Sequence, residues 1–164
     1  LNYVKKFREM KEKNQGLLLY GPVGTGKSFT AACIANALME QNITVIMTSF
    51  VKILQDIGTG DEASYIQILN SASLLIIDDL GAERNTDYAL EKVYNVIDSR
   101  IRTDKPMILT TNLELSEMLQ TTDIRYRRVY DRIFETCYPV EMPGKSFRQI
   151  EAAQRFNDMK ELLQ

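Results

Sequence analysis

The sequence predicts an α/β domain, a parallel sheet covered by helices, and three observations carry that expectation. Short apolar or β-branched runs alternate with segments of helical period, the pattern of repeated strand–helix–strand units. One run, Leu74–Ile77 ("LLII"), is continuously apolar, as a strand buried on both faces of a parallel sheet should be. A glycine-studded turn, "GPVGTGKS", lies between the first strand and the first long helical pattern. The chain has 164 residues, the size of a single domain with a proper core.

Taken in order, Leu17–Tyr20 reads as a buried strand and Lys27–Gln41 as a helix. Thr44–Thr48 ("TVIMT") is a β-branched strand, followed by a short helix from Phe50 to Ile57. "TGDEA" breaks the pattern before a short helix over Tyr65–Asn70, and Leu74–Ile77 is the next strand. Leu90, Val93, Tyr94, Ile97 and Ile101 recur at helical spacing and predict an amphipathic helix. Pro106 ends a polar turn, and Met107–Thr111 ("MILTT") forms another strand. Tyr126–Phe134 reads as helix, Tyr138–Glu141 as a short strand, and Ser146–Leu163 as a terminal helix capped by Ser146.

Composition narrows the chemistry. The content, 45% apolar and 26% charged, is ordinary for a soluble globular protein. A net charge of −2 gives no global basic field, so any nucleic-acid contact must come from a local patch. The apolar runs are too short to span a bilayer, and the mixed-charge start "LNYVKKFREMKEKNQ" is no secretory signal, so a cytoplasmic location is expected. The first residue is not Met, which suggests a fragment. Cys33 and Cys137 form no CxxC pair and read as free buried thiols. The chain has no histidine, which removes His-based acid–base chemistry and nearly every zinc site. A metal must therefore take oxygen ligands, which points to Mg²⁺.

The glycine-rich turn matches G-x-x-x-x-G-K-[ST], the P-loop pattern, in its required strand-to-helix setting. Gly21, Pro22, Val23, Gly24, Thr25, Gly26, Lys27, Ser28 and Phe29 are the candidate nucleotide-binding stretch. Glycines let consecutive N–H groups turn inward as an anion nest, and the helix beginning near Lys27 adds its positive end. Lys27 is expected at the β- and γ-phosphates, with the Ser28 hydroxyl on Mg²⁺. Asn-Lys-x-Asp, the guanine-reading tetrapeptide of GTPases, is absent, which favours ATP. Tyr3 and Phe7 are weak candidates for adenine contact and otherwise packing residues.

"LLIIDDLG" ends an apolar strand with two acids. Asp78 fits the residue that holds Mg²⁺ or its water, and Asp79 is placed to polarise an attacking water. A turn or helix cap is the plainer alternative. Asn112 ends the "MILTT" strand, in a position to touch that water or the γ-phosphate.

On these segments the chain resembles a family. "GPVGTGKSFTAACIANAL", "LLIIDDLGAE", "ILTTNL" and "YDRIFE…SFR" are similar to the AAA+ ATPases of the bacterial helicase-loader group (DnaC/DnaI-like). IstB-like transposase helper ATPases share much of the pattern. The resemblance runs from Gly16 to Arg148 and implies a P-loop core over 16–144 with five parallel strands. It also implies ATP hydrolysis at subunit interfaces, head-to-tail self-association and a role in placing a replicative helicase on DNA. By position, Lys27 and Ser28 belong to Walker A, Asp78 and Asp79 to Walker B, and Asn112 to sensor 1. Arg132 matches the arginine finger and Arg148 the sensor 2 arginine. The segment Phe50–Ile57 resembles the insertion through which initiator-type members contact single-stranded DNA.

The chain departs from the wider pattern in two places. Asp79 stands where most AAA+ proteins have Glu, and its shorter arm predicts slow hydrolysis unless another acid such as Glu83 assists. About twenty residues follow Gly144, so the lid is expected to reduce to one helix over 145–164. Residues 1–15 are a flank, and the family's helicase-binding N-terminal region has no counterpart in the chain.

Arg125, Arg127, Arg128 and Arg132 crowd one stretch, and Arg125, Arg128 and Arg132 share one helical face. Three targets are open to that face: a neighbouring subunit's γ-phosphate, a DNA backbone, or the protein's own acids such as Asp131 and Glu135. A small-molecule kinase would use the same arginines as a phosphate-clamping lid. A nucleotide switch that binds without hydrolysis is the remaining reading.

Overall fold

A computed structural model describes residues 2–82 and 86–163. Two short helices, α1 (Asn2–Lys5) and α2 (Phe7–Glu12), precede β1 (Gly16–Tyr20). α3 (Lys27–Met39), β2 (Val45–Ser49), α4 (Phe50–Thr59), α5 (Glu62–Ser71) and β3 (Leu74–Leu80) follow. Then come α6 (Asp87–Arg102), β4 (Met107–Thr111), α7 (Leu115–Gln120), α8 (Ile124–Thr136), β5 (Cys137–Glu141) and α9 (Phe147–Leu162). All five strands pair in parallel, in the order β2-β3-β4-β1-β5. β3 and β4 therefore run through the middle of the sheet, and "LLII" and "MIL" are buried on both faces as their composition requires.

Two cores form, one on each face. Leu19, Leu74, Ile76 and Ile108 pack with Ala31, Ile34 and Leu38 of α3 and with Tyr3, Val4 and Phe7. Leu18, Leu75, Ile77 and Leu109 pack with α4, α6 and α8 through Phe50, Ile53, Val93, Ile97, Val129 and Ile133. Adjacent strand residues feed opposite cores because side chains alternate along a strand. Tyr3 and Phe7 are thus packing residues: their rings meet edge to face at 6.0 Å, and the Tyr3 hydroxyl donates to Gln15 O at 3.0 Å.

Several local readings need adjustment. The segments 2–12 and 115–120 are helical where the sequence marked no element. α7 is held by a reciprocal cap in which the Glu114 side chain accepts from the third-position N–H and Glu117 accepts from Glu114 N. Ser146 caps α9 as expected, accepting from Gln149 N at 3.3 Å. Both cysteines are free, but only Cys137 is buried, and burial pushes its thiol up to about 12; Cys33 is half-buried. Arg100, fully buried, escaped the sequence reading. Its guanidinium donates to Ala72 O at 3.0 Å and Pro106 O at 2.8 Å, which ties α6 to the starts of β3 and β4. Those carbonyl partners are what make a buried guanidinium tolerable.

A candidate nucleotide site at the carboxyl edge of the sheet

The loop between β1 and α3 has the backbone that an anion nest needs. Gly24 and Gly26 adopt φ of 83° and 90°, and Gly26 caps α3 in the left-handed region. Gly24 has a second constraint, since a Cβ there would lie 2.1 Å from Ser146 Oγ. The start of α9 rests on this loop, with Phe147 N donating to Gly24 O at 3.0 Å. Thr25 Oγ1 donates to Pro22 O at 3.0 Å and braces the turn. Pro22 and Val23 are exposed, Ser28 is half-buried in the first turn of α3, and Phe29 is exposed.

Lys27 is only 5% exposed, and its Nζ donates to Gly21 O at 2.8 Å and Pro22 O at 2.7 Å. Burial lowers its pKa; Asp79 and Asp78 oppose that, Arg148 adds to it, and Glu114 opposes it weakly. Four charged side chains from β3, the β4–α7 turn and α9 therefore act on one buried ammonium. Asp78, Asp79 and Arg148 were expected there. Glu114 was not. Its Glu114-x-x-Glu117 spacing signals a helix cap, but nothing local signals its nearness to Lys27.

The two aspartates end β3 in an irregularity. The β3–β4 register shifts between Ile77 and Leu80, and Asp79 takes a left-handed backbone with φ of 59°. Thr110 Oγ1 donates a short hydrogen bond to Asp78 Oδ1 and accepts from Asp79 N at 3.0 Å. Asn112 is exposed immediately beyond β4, and the neighbouring Leu113 side chain lies against Gly81. Glu83, the alternative acid, lies outside the described residues.

Mg²⁺ fits this donor set. No cluster of three or more acids, Cys or His that could cage a metal exists among the described residues. Mg²⁺ is ordinarily held by one or two protein oxygens plus phosphate oxygens and water, and Ser28 and Asp78 supply that number.

The arginine face is elsewhere, turned toward α6. Arg125 pairs with Asp87 and with Asp123, the latter at 2.6 Å. The Arg128 guanidinium lies 4.8 Å from the Tyr94 ring centroid. Arg132 meets Asp98 at 2.8 Å and Glu135 at 2.9 Å. Of the three targets open to this face, the protein's own acids are engaged, with Asp123 and with Asp87 and Asp98 of α6 added to the foreseen Glu135. Arg127 is exposed. No helix among the described residues is long and apolar enough to cross a membrane.

Solved structures share the fold. The crystal structure of DnaI superposes with a TM-score of 0.72 at 22% identity, covering 88% of this chain and 80% of that one. The fold is that of an AAA+ P-loop domain. The chain belongs to the IstB-like ATP binding protein family, whose model matches residues 4–155. Replicative helicase loader DnaI of Bacillus subtilis is 26% identical over 162 residues, 90% of this chain and 51% of that protein. A putative ATP-binding protein in an insertion sequence of Mycobacterium tuberculosis, Rv3427c, is 27% identical over 143 residues, 84% of this chain and 57% of the relative. Replicative helicase loader DnaC of Escherichia coli is 27% identical over 144 residues, 81% and 57%. The chain thus spans about half the length of the curated relatives it matches.

Proposed function

We propose that this chain is the ATP-hydrolysing part of a replicative helicase loader, coupling nucleotide state to assembly and single-stranded DNA contact. The observation that carries the proposal is a glycine-built anion nest whose lysine, Lys27, is buried against the loop carbonyls, with the acidic pair Asp78 and Asp79 ending the neighbouring β3 in a bulge. A lone phosphate-binding turn would need no such acidic pair. Residues 16–144 are the nucleotide core, and α9 in the segment that follows reports on it.

In this reading Lys27 leaves the Gly21 and Pro22 carbonyls for the β- and γ-phosphates, and Arg148 approaches the same phosphates from α9. Mg²⁺, when bound, neutralises phosphate charge. Ser28 and Asp78 hold it. Asp79 polarises the attacking water, and Asn112 orients that water or the γ-phosphate. Arg132 acts on a neighbouring subunit's nucleotide in a head-to-tail assembly. Lys52, at the start of α4, is exposed enough for a DNA phosphate, although it pairs with Asp56 at 2.6 Å.

The test is phosphate release from ATP, measured alone, with single-stranded DNA and with a replicative helicase, in wild type and Lys27→Ala. Wild type should bind ATP with Mg²⁺ and release phosphate slowly, and Lys27→Ala should lose both. Unchanged affinity and turnover in Lys27→Ala would overturn the assignment. A transposase helper is the second reading, favoured by the family match and by Rv3427c being as similar as the loaders. Co-purification with a transposase instead of a helicase would select it.

A further inference from the structure

We infer that Thr110 is a positioning residue that sets both aspartates of the acidic pair, an inference resting on the nucleotide-site reading above. β4 is buried at every position, yet its last two residues are threonines with no exposed surface. A buried hydroxyl is costly unless it is bonded, so each must have a partner. Thr111 Oγ1 donates to Leu80 O at 2.7 Å and accepts from Leu113 N at 3.1 Å. It fastens the end of β3 to the turn that carries Asn112. The Thr110 hydroxyl is divided between the two acids.

Ile77 pairs with Leu109 and Leu80 with Thr111, so Asp78 and Asp79 together oppose Thr110 alone. That is a β-bulge, which re-aims side chains and leaves a ladder group without its regular partner. A regular strand would send Asp78 and Asp79 to opposite faces. Here the register shift breaks that alternation. Asp79 reaches this arrangement through a left-handed backbone at φ of 59°, unusual for a residue with a side chain.

The Thr110 hydroxyl accepts from Asp79 N at 3.0 Å, filling the gap that the bulge opens, and spends its own proton on Asp78 Oδ1. One atom thus fixes the Asp79 backbone and the Asp78 carboxylate rotamer. The position needs a group that donates and accepts at once and fits a fully buried strand, and a hydroxyl is the side-chain group that meets both demands. Valine has the shape and neither bond. Serine has both bonds and lacks one methyl.

The test compares Thr110→Val and Thr110→Ser with wild type in two measurements. One is affinity for a fluorescent ATP analogue with Mg²⁺ and with EDTA; the other is the Mg²⁺ concentration that gives half-maximal phosphate release. With EDTA, Thr110→Val should bind as wild type does, because the anion nest is untouched. With Mg²⁺, its gain in affinity should shrink and its half-maximal Mg²⁺ rise by about tenfold, the usual scale for removing a group that orients a metal ligand. Thr110→Ser should restore both. If Thr110→Val does not fold, Thr110→Ala and Thr110→Ser make the same comparison, since they differ by one oxygen. Wild-type Mg²⁺ dependence in the hydroxyl-free variant would overturn the inference and leave the nucleotide site standing. Absence of nucleotide binding by wild type itself would overturn both.

Discussion

Gly24 concentrates two demands on one residue, a left-handed backbone and a surface flat enough for Ser146 to rest on. Gly24→Ala should fail on both counts. The added methyl strains φ of 83° and displaces the start of α9 from the loop. Nucleotide affinity should fall by tenfold or more, on the order of 1.4 kcal/mol, and limited proteolysis should cut near residues 145–148 faster than in wild type. Asp79 tests a different link. Asp79→Asn keeps the size and removes the charge that polarises water, so ATP should bind and persist while turnover drops about 10²–10⁴-fold. Single-turnover phosphate release reads this directly. A wild-type rate would move the water-polarising role to another acid, with Glu83 the candidate that the sequence offers.

Among the elements, α6 and α8 form the most informative pair. Asp87, Tyr94 and Asp98 of α6 face Arg125, Arg128 and Arg132 of α8, so the basic face is neutralised within its own subunit. Does that preclude Arg132 from acting across an interface? Magnitudes decide. Partly exposed ion pairs are worth about 0.2–1 kcal/mol. A finger on a γ-phosphate is worth roughly 10³–10⁵ in rate, about 4–7 kcal/mol. If Arg132 is the finger proposed above, a transition state across an interface would therefore outcompete Asp98 and Glu135 for the guanidinium. Arg132→Ala should leave ATP affinity of the dilute protein unchanged and abolish turnover stimulated by assembly. Asp98→Asn should keep that stimulation, because the finger needs release from this pair. Weakened ATP binding by dilute Arg132→Ala would instead show that the residue acts on its own subunit's nucleotide.

At the scale of the whole molecule, charge sets two expectations. With a net charge of −2, and with Lys52, Arg125 and Arg132 already paired with acids, the chain presents only local basic groups and can neutralise few phosphates. Single-stranded DNA binding should therefore show a shallow dependence of log affinity on log salt, a slope of about −1 to −3. Fluorescence anisotropy across a salt series measures it. Stability against pH follows from the depressed carboxylates. Hydrogen bonding from Lys92 lowers Glu62, from Lys52 lowers Asp56, and from Arg125 lowers Asp123. A group whose folded pKa is depressed contributes above its unfolded value and loses that contribution as pH falls through the folded one. Denaturant midpoints should thus be flat between about pH 6 and pH 8, where a chain without histidine has little to titrate, and should fall below about pH 4.

The sequence by itself determined the strand–helix alternation, the buried central strands, the phosphate loop and the acidic pair at a strand end. Each is written in spacing over a few residues: period two or 3.6, a glycine at a fixed offset, an acid after an apolar run. Helical period also put Arg125, Arg128 and Arg132 on one face. What that face meets was decided by the crossing of α8 over α6, which brings Arg125 to Asp87, 38 residues away. Strand order decided the rest. β3 lies beside β4, so Thr110 reaches Asp78 across 32 residues and bonds both members of a bulged acidic pair. Glu114 joined the site for the same reason. A local pattern specifies an element and its faces, whereas a partner is chosen only when elements pack, and that choice has no local periodicity to betray it.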